Sequence, residues 1–143
     1  MALKSYRDLE VWGKAMDLTV AVYQLTATFP PQERYGLTSQ MQRAAVSIPA
    51  NIAEGYGRTH RGDYLHHLSI AKGSLAELET HLALAVRLRF LTKDQVLPVW
   101  DMAQSVGKML TRLIQTLQPA RAKPEPRDPR PETPNPRPST RAG

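Results

Sequence analysis

Tyr35-Gly-Leu-Thr-Ser-Gln-Met-Gln-Arg-Ala-Ala-Val-Ser-Ile-Pro-Ala-Asn-Ile-Ala-Glu-Gly-Tyr-Gly-Arg58 reads as one amphipathic helix with a proline, Pro49, set inside it and a glycine pair, Gly55 and Gly57, at its end. A proline within a helix removes one backbone hydrogen bond and crowds the preceding turn, at roughly 3 kcal/mol. A chain keeps such a residue where packing on both sides outweighs that cost. The stretch is therefore predicted to be a kinked core element. It holds no recognisable set of catalytic groups.

Three further helical segments flank it. The first spans Tyr6 to Thr28 and stops at Phe29-Pro30-Pro31. It carries two apolar stripes at helical spacing. Leu9, Trp12, Met16, Val20, Tyr23 and Ala27 form the stripe expected to face the core. Val11, Ala15, Leu18, Val22, Leu25 and Phe29 form a second, on an adjoining face. One stripe suffices for a helix in a monomeric bundle, so Val11, Leu18, Val22 and Leu25 are predicted to form a subunit interface. The third helix starts around Arg61-Gly-Asp63, with Asp63 as N-cap, and runs to Arg89 on the stripe Tyr64, Leu68, Ala71, Leu75, Leu78, Leu82, Ala85 and Leu88. The fourth begins at Thr92, whose N3 partner Gln95 completes a capping box. Its stripe is Val96, Trp100, Ala103, Val106 or Gly107, Leu110, Leu113 or Ile114, and Leu117. Short connections between long helices favour antiparallel neighbours. The expectation is an all-α, up-down antiparallel four-helix bundle with a Pro-kinked second helix.

Residues 1–118 form the expected bundle domain, and residues 119–143 differ in kind. Prolines recur at 119, 124, 126, 129, 131, 134, 136 and 138, separated by polar and charged residues. Such a composition cannot bury enough apolar surface to offset ordering entropy, which predicts a disordered, polyproline-biased tail. Six basic and three acidic residues give that tail a charge of +3, half of the chain's +6. The remaining +3 on the bundle is mild and does not by itself imply nucleic acid. The chain has no cysteine, which excludes disulfides and thiolate metal sites. The first residues lack the apolar run of a signal peptide, and no apolar run is long enough to span a bilayer. A soluble, cytoplasmic protein is expected.

Chemistry-bearing side chains do not assemble into an enzyme pattern. Adjacent His66 and His67 point about 100° apart on a helix and cannot chelate together. No Glu-x-x-His or His-Glu-x-x-His pair occurs, so neither a metal nor another cofactor is expected. Solvated surface positions suit all four histidines. Glu54 and Arg58 stand at the spacing of a helical ion pair, and Asn51 or Gln40 is suited to satisfying buried polar atoms. Gly55-Tyr-Gly57 is too short, and misplaced after a helix, for a phosphate loop. Basic residues are more suggestive. Arg43, Arg58, Arg61, Lys72, Arg87 and Arg89 could hold phosphates electrostatically, with Lys108 and Arg112 as a further i,i+4 pair. The same residues equally suit plain solvation of exposed faces.

Tyr6-Arg-Asp-Leu-Glu-Val-Trp12, Arg34-Tyr-Gly-Leu37, Gln42-Arg-Ala-Ala-Val-Ser-Ile-Pro49, Asn51-Ile-Ala-Glu-Gly55 and Gly73-Ser-Leu-Ala-Glu-Leu-Glu-Thr80 fall in an order that resembles the 23S rRNA-intervening sequence proteins, also called the S23 ribosomal protein family. The likeness covers roughly residues 5–117. The family commonly has Arg-Arg where this chain has Gln42-Arg43, so one family charge is missing. Relatives include the accessory variability protein of diversity-generating retroelements, a ring-shaped homopentamer that engages a reverse transcriptase and nucleic acid. The resemblance thus implies a four-helix bundle and, by analogy, a homopentamer with basic surfaces. Two expectations follow. The first is a non-enzymatic homo-oligomeric scaffold holding RNA or DNA through Arg43, Arg58, Arg61, Lys72, Arg87 and Arg89. The second is a protein-interaction adaptor with no nucleic-acid role, whose tail recruits a Pro-recognising partner.

Overall fold

Two short 3-10 turns and four α-helices make up residues 3–118, the part of the chain that the computed structural model describes. The Pro-rich tail expected over residues 119–143 lies outside the described residues. The helices are α1 (Glu10–Thr26), α2 (Leu37–Tyr56), α3 (Arg61–Arg87) and α4 (Lys93–Leu117). No strand occurs among the described residues.

Local chemistry sets most boundaries. The first helix opens later than expected, because Tyr6–Asp8 forms a separate 3-10 turn. Ser5 and Asp8 close that turn reciprocally, Ser5 Oγ accepting from the Arg7 N–H at 3.1 Å and Asp8 Oδ2 from the Ser5 N–H at 3.2 Å. Leu9 is then extended, and α1 follows. The Thr92–Gln95 capping box at the start of α4 is as expected, with the Gln95 N–H donating to Thr92 Oγ1 at 3.2 Å. Asp63 is not the N-cap of α3. His60 occupies that position, and Asp63 lies in the first turn, where its charge complements the helix dipole. Pro98 is the sixth residue of α4, one turn deeper than the least costly position.

Contacts between helices run in opposite sequence directions. Thr19 meets Ala45 and Thr26 meets Gln42 across α1 and α2. Ser47 meets Ser74 and Asn51 meets His67 across α2 and α3. Leu75 lies against Gly107, and Glu79 against Gln104, across α3 and α4. Successive helices are therefore antiparallel, and α1 also packs on α4 to close the bundle.

The core is built from Leu18, Val22, Met41, Ile48, Ile52, Leu68, Leu78, Leu82, Val106 and Leu110, interleaved with buried alanines that let the helices approach. The stripes chosen on α3 and α4 point inward as expected, although Leu88 is exposed and Val99 joins the core. On α1 Leu9 and Trp12 pack against the core as expected, but beyond Trp12 the two stripes are exchanged. Val11, Ala15, Leu18 and Val22 are buried within the single chain, and Leu25 packs against them. Met16, Val20 and Tyr23 face outward, with relative exposures of 41%, 55% and 45%. The expectation that Val11, Leu18, Val22 and Leu25 form a subunit interface is thus corrected: they belong to the core of the single chain.

Pro49 explains how α1 is held in that rotation. A residue-49 N–H would normally engage the Ala45 carbonyl, and proline has none. Thr19 Oγ1 lies 3.1 Å from Ala45 O and 2.8 Å from Ala15 O in its own helix. The Ala15 carbonyl already has a helical partner available, whereas the Ala45 carbonyl has lost its own. The proline is buried between helices, and α1 supplies the polar group that its presence demands.

Candidate nucleic-acid interface and the outward faces

The six basic residues chosen from the sequence are all exposed, but the fold does not bring them together. Arg58 and Arg61 sit at the α2–α3 corner, and Arg87 and Arg89 at the α3–α4 corner. The intervening α3 separates the two pairs by about 40 Å at 1.5 Å per residue. Arg43 lies on α2, beside Ser47 in the grooves toward α1 and α3. Lys72 and Arg87 each border a groove toward α4, Lys72 with Lys108 and Arg112 and Arg87 with Trp100.

Their surroundings differ as well. Arg58 is partly neutralised, its Nη2 lying 2.7 Å from Glu54 Oε1 in the expected i,i+4 pair. Arg89 has a backbone duty. Its φ of 64° places it in the left-handed region after α3, where the Phe90 N–H returns to the Ala85 carbonyl at 2.9 Å. That is the Schellman arrangement, in which an arginine holds the position glycine usually takes.

The fold creates one basic grouping that the sequence reading left out of its site. Lys72 from α3 and Lys108 and Arg112 from α4 line an open groove of about 490 Å³ with Leu75, Gly107 and Thr111. Helical spacing puts Lys108 and Arg112 on one wall, and that spacing was visible in the sequence. Their juxtaposition with Lys72 was not, because it depends on the register of α3 against α4.

Polar groups between α2 and α3 form a structural seam. Asn51 Nδ2 donates to the Ser47 carbonyl at 2.8 Å and to Ser47 Oγ at 3.0 Å, and Ser47 Oγ meets Ser74 Oγ at 2.9 Å. Asn51 Oδ1 faces His67 Nδ1 at 3.1 Å. Asn51 therefore plays the satisfying role expected of it. On the α1 side that role belongs to Gln42 and not to Gln40, since Gln42 Nε2 donates to the hydroxyl of buried Thr26. Gln42 thus ties α2 to α1.

His67 and His81 are only 14% exposed, so the reading of all four histidines as solvated is corrected for these two. His81 Nε2 lies 3.3 Å from Glu77 Oε1, within its own helix. His67 reaches Asn51 and stands 3.9 Å from Glu54, so an amide separates it from Ser47. At the same corner, burial and then the neighbouring Tyr56 raise the Tyr64 hydroxyl above its ordinary pKa. Among the described residues no three His, Asp or Glu side chains gather as metal ligands would. No helix of the described residues is long and apolar enough to cross a membrane.

Two apolar patches remain on the outside. Met16, Val20 and Tyr23 of α1 continue into Val46 of α2. Leu84, Leu88 and Leu97 are exposed at the other pair of helices, with half-buried Trp100 and Leu84 in one shallow groove.

A bundle of this kind, with a proline-bearing second helix, is an all-α helical-bundle protein. The sequence pattern of the 23S rRNA-intervening sequence protein family matches residues 7–112, and the chain belongs to that family. No curated protein matches it. Among solved structures it is similar to a protein of unknown function from the S23 ribosomal protein family of Bacteroides thetaiotaomicron, a crystal structure at 1.70 Å resolution. The two share 26% identity over 73% of this chain and 98% of the other, with a TM-score of 0.67.

Proposed function

We propose that this chain is a non-enzymatic subunit of a homo-oligomeric scaffold that holds RNA or DNA through phosphate contacts. The observation that carries this reading is the outward stripe of α1, where Met16, Val20 and Tyr23 stand exposed beside Val46. Contiguous apolar patches of this sort mark interaction sites. The groove where exposed Leu84 of α3 meets Trp100 of α4 is a different surface. A contact between two different patches is heterologous, and copies joined that way close into a ring when the rotation allows. A ring of five is the size that the sequence resemblance implies. Repetition around a ring would also multiply a basic surface that is mild on one copy.

Light scattering on a sizing column tests the assembly. The expected particle is a multiple of the 16.0 kDa chain, and a monomer would end the reading. Retention of RNA or DNA at low salt, lost steeply as salt rises, tests the second half. An adaptor that binds only protein is the alternative. It draws on the same apolar faces and is favoured by the dispersal of Arg58, Arg61, Arg87 and Arg89 to opposite ends. An assembled particle that retains neither nucleic acid at low salt would select it.

A further inference from the structure

We infer that the groove between α3 and α4 is the path of a single nucleic-acid strand, with Lys72, Lys108 and Arg112 as its phosphate contacts. The inference rests on the nucleic-acid reading above and narrows it to one face, using two residues outside the six first chosen.

Lys72 stands on one wall of the groove, and Lys108 and Arg112 on the other. Among the described residues no carboxylate lies within 4.0 Å of any of the three, whereas Arg58 at the α2–α3 corner is paired. The acid that the groove does contain, Glu79, lies about 10 Å along α3 from Lys72 and accepts a hydrogen bond from Gln104 at 3.2 Å. The cationic end is thus left uncompensated. Residues four apart on a helix are neighbours on its surface, so Lys108 and Arg112 present two charges in a row along the groove.

Shape selects among polyanions. Leu75 and Gly107 lie under the groove, and no side chain rises at position 107; a Cβ there would come within 3.2 Å of Leu75 Cδ2. The result is a shallow trough between two helices, which suits a single chain of phosphates better than the convex surface of a duplex. An acidic peptide would need partners for its backbone amides. The acceptors Glu79 and Gln104 lie toward the other end of the groove, so beside Lys72, Lys108 and Arg112 only the Thr111 hydroxyl could accept from those amides. Those groups match phosphate oxygens. Positioning contacts of this kind carry no base information, so little sequence preference is expected.

The test measures fluorescence anisotropy of labelled oligouridylate and oligothymidylate with the full chain at several salt concentrations. The double variant Lys108→Gln/Arg112→Gln should weaken binding about tenfold and lower the log–log salt slope by about 1.4, for two lost single-strand contacts. Lys72→Gln on the opposite wall should weaken it by a smaller factor. Arg58→Gln/Arg61→Gln should stay within about twofold of the unaltered chain. All these positions are exposed, and an unchanged light-scattering mass separates lost binding from lost assembly. If the unaltered chain binds and the groove variants bind equally well, the groove assignment falls while the nucleic-acid reading stands. If the unaltered chain binds neither strand, both fall. Polyglutamate that displaces the strand and loses affinity in parallel across the same variants would make an acidic peptide the occupant, and would overturn the assignment.

Discussion

Gly55 and Gly73 are both glycines inside helices, yet the fold gives them opposite meanings. A Cβ at Gly55 would lie 2.8 Å from His67 Cβ and 2.9 Å from Tyr64 Cδ2, because α2 and α3 approach closely there. Nothing lies within 4 Å of a Cβ built at Gly73. Gly55→Ala is expected to destabilise the bundle by about 1–3 kcal/mol through overpacking, despite alanine's better helix propensity. Gly73→Ala should stabilise it by about 1 kcal/mol. Urea titrations of both variants check the pair, and a stabilised Gly55→Ala would refute the close crossing. From sequence alone Gly55 looked like part of a helix terminus, which it is. Its second role, letting α3 come near, depends on which residues α3 brings to that level.

At the scale of elements, the Thr19–Ala45–Pro49 arrangement is the device that links a sequence oddity to tertiary packing. Thr19→Val should leave the Ala45 carbonyl without its cross-helix donor, at about 1–3 kcal/mol. In a Pro49→Ala background the restored N–H of residue 49 can engage that carbonyl, so the same Thr19→Val change should cost less. A double-mutant cycle measures the difference. Equal costs in both backgrounds would show that Thr19 does not answer for the proline. The rotation of α1 was the part of the fold that sequence reading misplaced. Both of its stripes are apolar at the same period, so periodicity alone gave no reason to prefer Leu18 over Val20 for the inside. The partners decide. Thr19 turned toward Ala45, and Thr26 toward Gln42, carry Leu18 and Val22 inward and leave Val20 and Tyr23 outside.

For the whole molecule, the exchanged stripes yield a clean discrimination between folding and assembly. Val20→Glu places a charge on the exposed face and should lower the particle mass by light scattering while leaving helicity intact. Leu18→Ala removes a fully buried side chain and should cost about 2–5 kcal/mol in a denaturant titration, with assembly unaltered in buffer. If Val20→Glu leaves the mass unchanged, the outward stripe of α1 is not the subunit contact. The basic residues show the same division of legibility. Their identities and the Lys108–Arg112 spacing were plain in the sequence. Their grouping was not, because charges far apart in the chain become neighbours only through helix register. Arg87 and Arg61, on one helix, end at opposite corners, while Lys72 and Arg112, forty residues apart in number, line one groove.

By itself the sequence determined that the chain makes four helices, where α4 begins, which faces of α3 and α4 turn inward, and which family the chain resembles. These follow from short-range causes: apolar periodicity, a capping box and the order of local motifs. Only the tertiary structure decided which stripe of α1 is buried, how Pro49 is accommodated, and which cations share a groove. Those outcomes depend on how one helix is rotated and shifted against another, and that is set by contacts between residues that no local pattern pairs.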